Sequence, residues 1–180
     1  MIRKELLCYY VVLPARPTGT RIIQSWDTAA KDGAQNDWSV CTTWMVVDDN
    51  YYLMDLTRGR YEYPKLRATA IALAQRYRPH TVLIEDASTG TALTQELKGM
   101  HLGIGLRLIP IEHDKIGRLY VNQAVFEEGR VHFPKNAPFL PDLEAELLQF
   151  PQGKTDDQVD SISQALSFQF GYDHTGAWIG

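Results

Sequence analysis

Three places in the sequence carry acids where a chain can build a site. Asp27 directly follows the run Arg21 to Trp26, and Glu85 and Asp86 directly follow Thr81 to Ile84. Asp156, Asp157 and Asp160 open the last helical segment. Carboxylates are hard oxygen ligands of the kind Mg2+ and Mn2+ prefer. Two such ions about 4 Å apart can activate a water and neutralise the leaving oxygen of a phosphodiester. No Cys/His set with zinc spacing accompanies the acids, and His80, His101, His113, His132 and His174 are scattered. Each acid alone has an ordinary explanation. Asp27 reads as a turn or cap residue, Glu85-Asp86 as loop acids before Ser88-Thr89-Gly90, and Asp156-Asp157 as partners of a helix dipole. Their joint occurrence, each at an element where a metal site would be built, shifts the balance toward chemistry.

Two other signals are weaker. Gly153-Lys154-Thr155 looks like the tail of a phosphate-binding loop, but Leu148 stands where the first glycine belongs and the preceding segment reads as a helix. Tyr51, Tyr52, Tyr61 and Tyr63 have the chemistry to stack on bases, although aromatics in strands more often pack.

The elements that must position the acids are legible as periods. Arg21–Trp26, Ser39–Val47 and Asn50–Leu56 are β-branched and aromatic runs, and Asp48-Asp49-Asn50 marks a hairpin turn. Thr28 to Trp38 reads as a loop. Apolar spacing then predicts a helix over Tyr63–Tyr77, a buried parallel strand at Thr81–Ile84, and a short helix over Thr91–Lys98. A strand at Leu106–Ile111, a helix at Lys115–Glu128 and a brief strand at Val131–Phe133 follow. Two further helices are expected, Leu140–Phe150 and Thr155–Phe170, the second opened by a capping box, Thr155-Asp156-Asp157-Gln158. In this last helix Val159, Ile162, Leu166 and Phe170 form one stripe at about 100° per residue. Asp156 and Asp160 fall on the stripe's edge and Asp157 further toward solvent. Meander followed by alternation implies one mixed α/β sheet with helices on both faces. Ligands gather at the carboxyl ends of strands in open α/β sheets, so Asp27 and Glu85 converge if their strands are neighbours.

Composition sets the frame. The 44% hydrophobic and 22% charged residues of this 180-residue chain are those of an ordinary globular domain with a sizeable core. The net charge of −4 argues against grip on nucleic acid by bulk electrostatics, and points to another domain or partner for much of it. Cys8 and Cys41 sit in apolar runs and read as packing residues, in keeping with a reducing cytosol. The apolar stretch Leu6–Leu13 is too short for a bilayer, and Glu5 interrupts the basic start that a signal peptide needs.

At these residues the chain resembles the C-terminal nuclease domain of phage terminase large subunits, in the RNase H-like superfamily. The matching pieces are Ser25-Trp26-Asp27-Thr28-Ala29, Ile84-Glu85-Asp86-Ala87-Ser88-Thr89-Gly90 and Thr155-Asp156-Asp157-Gln158-Val159-Asp160-Ser161, with lesser matches at Asp114-Lys115-x-x-Arg118 and Glu128-Gly129-Arg130-Val131. They run in family order from about Arg21 to Leu166, and are specific together. The resemblance implies an RNase H-like mixed sheet, an antiparallel meander followed by parallel strands, with helices on both faces. It further implies a metal-dependent endonuclease that cuts concatemeric phage DNA, using two Mg2+ or Mn2+ ions. Asp27 would be the central ligand and Glu85 the second, with the third from Asp156, Asp157 or Asp160. Relatives commonly carry His where Thr155 stands. Lys115 and Arg118 would hold a substrate phosphate, or else form a solvated helix start. The implied partners are double-stranded DNA, a terminase ATPase domain not present in this sequence, the small terminase subunit and the portal protein, in the host cytoplasm with no membrane. Residues 1–20 are expected as a linker or lead-in strand, 21–172 as the nuclease domain and 173–180 as a tail. A junction resolvase or transposase, a silent DNA- or portal-docking module and a sugar-kinase-like phosphotransferase are the competing classes. The first usually shows a basic face, the second a broken carboxylate set, and the third glycine-rich phosphate loops.

Overall fold

A computed structural model describes residues 2–29, 37–111 and 115–168. The strands are β1 (Cys8–Tyr10), β2 (Arg21–Asp27), β3 (Ser39–Val47), β4 (Asn50–Gly59), β5 (Thr81–Glu85), β6 (Gly105–Ile109) and β7 (Val131–Pro134). The helices are α1 (Tyr63–Tyr77), α2 (Ser88–Gly99), α3 (Lys115–Glu127), α4 (Leu140–Gln149) and α5 (Asp157–Ser167). One seven-stranded sheet runs in the order β1-β7-β4-β3-β2-β5-β6.

β2, β3 and β4 form the antiparallel meander. Its turn places both Asp48 (φ 46°) and Asp49 (φ 60°) in the left-handed region, as a two-residue I′ hairpin demands. β5 then adds parallel to β2, β6 to β5, and β7 to β4. Residues 8–10 of the amino-terminal segment are a strand, pairing with β7 from Cys8↔His132 to Tyr10↔Pro134, and Ile2 and Leu7 are buried in the core. Residues 173–180 lie outside the described residues.

Pleating sorts the side chains between two cores. Trp26, Val82 and Ile84 pack with Leu66, Leu93 and Leu97 of α1 and α2. Ile23, Val40 and Trp44 pack on the opposite face with Leu119, Leu143 and Ile162 of α3, α4 and α5. Tyr51 and Tyr52 are engaged within the protein: Tyr51 meets Trp44 edge-on, and Tyr52 stacks on His132 with ring centroids 4.5 Å apart.

Four elements differ from the sequence expectation, β4 first, which runs to Gly59 rather than Leu56. α2 begins at Ser88 rather than Thr91, because Gly90 lets its first turn sit against β5. β6 stops at Ile109, just before Pro110, which has no N–H for the ladder. In α5 the expected capping box does not form. The N-cap is Asp156, with no side-chain cap hydrogen bond, and the first amides are held from outside the helix by Glu146 of α4. Nor is α5 striped, since every residue from Gln158 to Leu166 is buried. It lies between the sheet and the other two helices of its layer, so polar as well as apolar positions lose solvent. Phe170 lies outside the described residues.

Candidate metal centre

The sheet brings two of the three acid positions together. Register pairs Trp26 of β2 with Ile84 of β5 in parallel, so the next residues, Asp27 and Glu85, end adjacent strands side by side. Alternation puts both on the α5 face, because Trp26 and Ile84 point into the opposite core. The same row continues across the meander, with Asp27 opposite Val40 and Val40 opposite Arg58. Neighbouring strands are about 4.8 Å apart, which suits two carboxylates facing a shared cation.

The floor of this row is rigid. Trp26 is fully buried beneath it. Gly90 sits so close to the end of β5 that a Cβ there would fall 2.1 Å from the Glu85 carbonyl oxygen and 2.9 Å from Ile84 Cγ2. Only glycine allows α2 to start there, and its start fixes the chain leaving Glu85. Asp86, the next acid, is exposed and accepts a bond from Thr91 Oγ1 at 2.8 Å.

α5 crosses above the row and is stitched to β2 and β3 by its buried polar residues. Ser161 Oγ donates to the Ser25 carbonyl at 2.8 Å and meets Thr42 Oγ1 at 2.8 Å. Gln164 Nε2 donates to Ser25 Oγ at 2.9 Å and to the Trp26 carbonyl at 3.3 Å. These bonds set where the α5 acids stand relative to Asp27.

The three α5 acids have different surroundings. Asp160 is buried, and Arg118 Nη2 of α3, itself buried, donates to its Oδ1 at 3.0 Å. Arg118 thus takes part in an internal ion pair. Asp157 lies 3.8 Å from Arg58 Nη2 across the row, and its side chain keeps 25% exposure. Burial, and then the nearby Glu146 carboxylate, push its pKa up to about 6 despite Arg58. The expected solvent-facing Asp157 is thus a desolvated acid, because α4 and β4 close over the start of α5. Asp156, half-buried, is the N-cap. Lys115 opens α3, and its side chain lies outside the described part of the structure. Among the described residues, no group of three or more His, Cys, Asp or Glu side chains is gathered to hold a metal.

Glu146 is the residue that sequence reasoning missed. It is buried, and its Oε1 accepts from the amides of Gln158 at 2.7 Å and Val159 at 3.3 Å. Its Oε2 accepts from Gln158 Nε2 at 2.7 Å and Thr155 Oγ1 at 3.1 Å, with Arg58 Nη2 at 3.8 Å. One carboxylate thereby anchors the turn that carries Asp156 and Asp157.

The terminase RNaseH-like domain family matches residues 24–168 of the sequence, from the strand before Asp27 to the end of α5. The chain belongs to that family. Its fold is that of the large terminase nuclease from thermophilic phage G20c solved with bound magnesium, at TM-score 0.66 and 19% identity, covering 91% of this chain and 93% of that one. The structures of the same phage protein with zinc and with cobalt are similar at TM-scores 0.66 and 0.65. The human cytomegalovirus terminase nuclease domain matches at TM-score 0.67 and 9% identity, over 98% of this chain and 97% of that one. Against the large terminase of another thermophilic bacteriophage, solved in complex with ADP, this terminase RNaseH-like domain spans 44% of that chain's length, at TM-score 0.69 and 10% identity. A comparison with curated proteins gives no significant match. The seven-stranded mixed sheet with helices on both faces is accordingly an RNase H-like fold.

Proposed function

We propose that this chain is a divalent-metal-dependent DNA endonuclease, the cutting domain of a viral DNA-packaging terminase. The observation that carries the reading is the pairing of Asp27 and Glu85 at the carboxyl ends of adjacent parallel strands, on the face that α5 covers. Their oxygen donors fit hard cations such as Mg2+ or Mn2+, and not the thiolate or imidazole sets that soft metals take. The desolvated Asp157 supports the fit, since a carboxylate whose charge is destabilised by burial and a neighbouring carboxylate is relieved by a cation.

In this reading Asp27 is the shared ligand, Glu85 the second, and Asp157 the third with Asp156 beside it. Asp160 positions α5 through Arg118 rather than binding the ion directly. The bound pair of ions would supply a water nucleophile at neutral pH and neutralise charge on the phosphate and leaving oxygen. The protein's own part is geometric. β2 and β5 fix the separation of Asp27 and Glu85, Glu146 holds the start of α5, and Asp157 supplies a carboxylate whose desolvated charge a cation would neutralise. Arg58, 3.8 Å from Asp157, balances the negative row while no substrate is bound. Lys115 at the start of α3 is assigned to a substrate phosphate. The substrate is double-stranded DNA, cut from concatemers in the host cytoplasm. Translocation and much of the DNA grip come from a terminase ATPase domain, acting with the small subunit and portal.

The deciding experiment is nicking of supercoiled plasmid by the purified chain with magnesium, manganese or chelator, beside Asp27→Asn. Metal-dependent nicking that disappears in a folded Asp27→Asn protein is the expected result. Nicking at full rate by that variant removes Asp27 from the mechanism. Absence of both cleavage and calorimetric metal binding removes the nuclease reading.

A further inference from the structure

A second group of side chains stands at the same end of the sheet, and it shares only Arg58 with the metal centre. Trp38 precedes β3, opposite the end of β4. Its ring receives two guanidinium groups, Arg58 Cζ at 4.2 Å and Arg60 Cζ at 4.4 Å from the ring centroid. The two arginines are two positions apart on one chain, and thus reach the same side. Arg58 has carboxylates close by, with Glu146 and Asp157 each 3.8 Å away. Arg60 is exposed and, among the described residues, pairs with no carboxylate. The carboxylates beside Arg58 offset its charge, so Arg60 is the cation of the pair with donors open to an anion. An exposed guanidinium stacked on an aromatic ring has lost much of its freedom while keeping its donors open, an arrangement suited to binding phosphate through two N–H groups.

Its place in the row says which phosphate. Arg58 lies opposite Val40, and Val40 opposite Asp27, so the Trp38 platform begins two strands from the proposed central ligand. At about 4.8 Å per strand that is roughly 10 Å, or about two to three nucleotides at 3.4 Å of rise each. A chain of net charge −4 that presents carboxylates to a polyanion needs local cations at this border. We propose that Arg60, held on the Trp38 ring beside Arg58, binds a backbone phosphate of the DNA strand being cut, a few nucleotides from the bond that breaks. The proposal rests on the nuclease reading above and adds a subsite to it.

The test uses the full chain carrying Asp27→Asn with magnesium, so that a short fluorescent DNA duplex is bound and not cut, titrated over a series of salt concentrations. Adding Arg60→Gln is expected to weaken binding on the order of 5- to 10-fold at low salt and to lower the salt slope of log K by about 1, one phosphate contact. Arg60→Lys should restore the slope but only part of the affinity, and Trp38→Leu should weaken binding with the slope nearly kept. In the chain with Asp27 intact, Arg60→Gln should raise KM for nicking and leave kcat little changed. Affinity and slope unchanged in Arg60→Gln overturn the proposal and leave the nuclease reading standing. So does a weaker complex with unchanged slope and a lowered Tm, which marks Arg60 as a packing residue. Failure of the unmodified chain both to bind and to nick DNA brings down the subsite together with the nuclease reading.

Discussion

Asp157→Asn is expected to make the folded protein more stable at neutral pH while weakening its response to divalent cations. In the folded chain Asp157 holds its proton up to about pH 6, against an ordinary value of 3.8. Between those values the folded state binds more protons than the unfolded one, so this residue lowers stability as pH rises through about 4 to 6. A displacement of about two pH units, at about 1.36 kcal/mol each, sets an upper limit near 3 kcal/mol at pH 7. The side chain keeps 25% exposure and is attracted by Arg58, and solvent screening reduces the gain to about 1–2 kcal/mol. Asparagine occupies the same volume without the charge, so the variant should gain that amount at pH 7 and almost nothing at pH 4. Urea unfolding at both pH values, with and without magnesium, measures it. Magnesium should stabilise the native chain by mass action and the variant far less. A variant less stable than the native chain at pH 7 without metal would mean that the Arg58 pair outweighs desolvation, and the reasoning from burial would be wrong.

Other perturbations separate positioning from chemistry. Glu146→Ala leaves the Gln158 and Val159 amides without their acceptor, and should cost about 3 kcal/mol in urea unfolding, with Glu146→Gln costing less because it keeps an acceptor oxygen. Gly90→Ala forces a Cβ against the Glu85 carbonyl and should cost about 1–3 kcal/mol, read as a lowered Tm together with slower nicking. Arg118→Met removes the guanidinium that pairs with the buried Asp160 and should cost about 3–5 kcal/mol, whereas Arg118→Met with Asp160→Leu should recover most of it. Metal-dependent nicking retained by that double variant is expected if Asp160 only positions α5, and its loss in a stable double variant would return Asp160 to the ligand set.

Periodicity and turn chemistry are local properties, so the strands of the meander, the helix at 63–77 and the places of the acids were readable directly. The two neighbouring aspartates of the β3–β4 turn and the buried run Thr81–Ile84 each carry their structure in a few adjacent residues. From these alone followed a mixed sheet with helices on both faces, and the expectation that Asp27 and Glu85 would meet if their strands paired. Whether they paired was a question of strand order. That was decided when β5 added to the free edge of β2, a contact between residues some sixty positions apart.

The pairing of the amino-terminal strand, the burial of α5 and the state of its acids could not be read in the same way. Cys8–Tyr10 becomes a strand only because β7 offers a parallel edge. The sequence of α5 shows an ordinary amphipathic stripe, yet its polar residues are buried because the sheet and two helices enclose it. Glu146 lies ten residues before Asp156 and has no motif, and its role exists only where α4 brings it to the α5 amides. Sequence determined which groups were available and which end of which element held them. Tertiary structure decided their charge state and partners, because desolvation and ion pairing depend on neighbours that the chain order does not reveal.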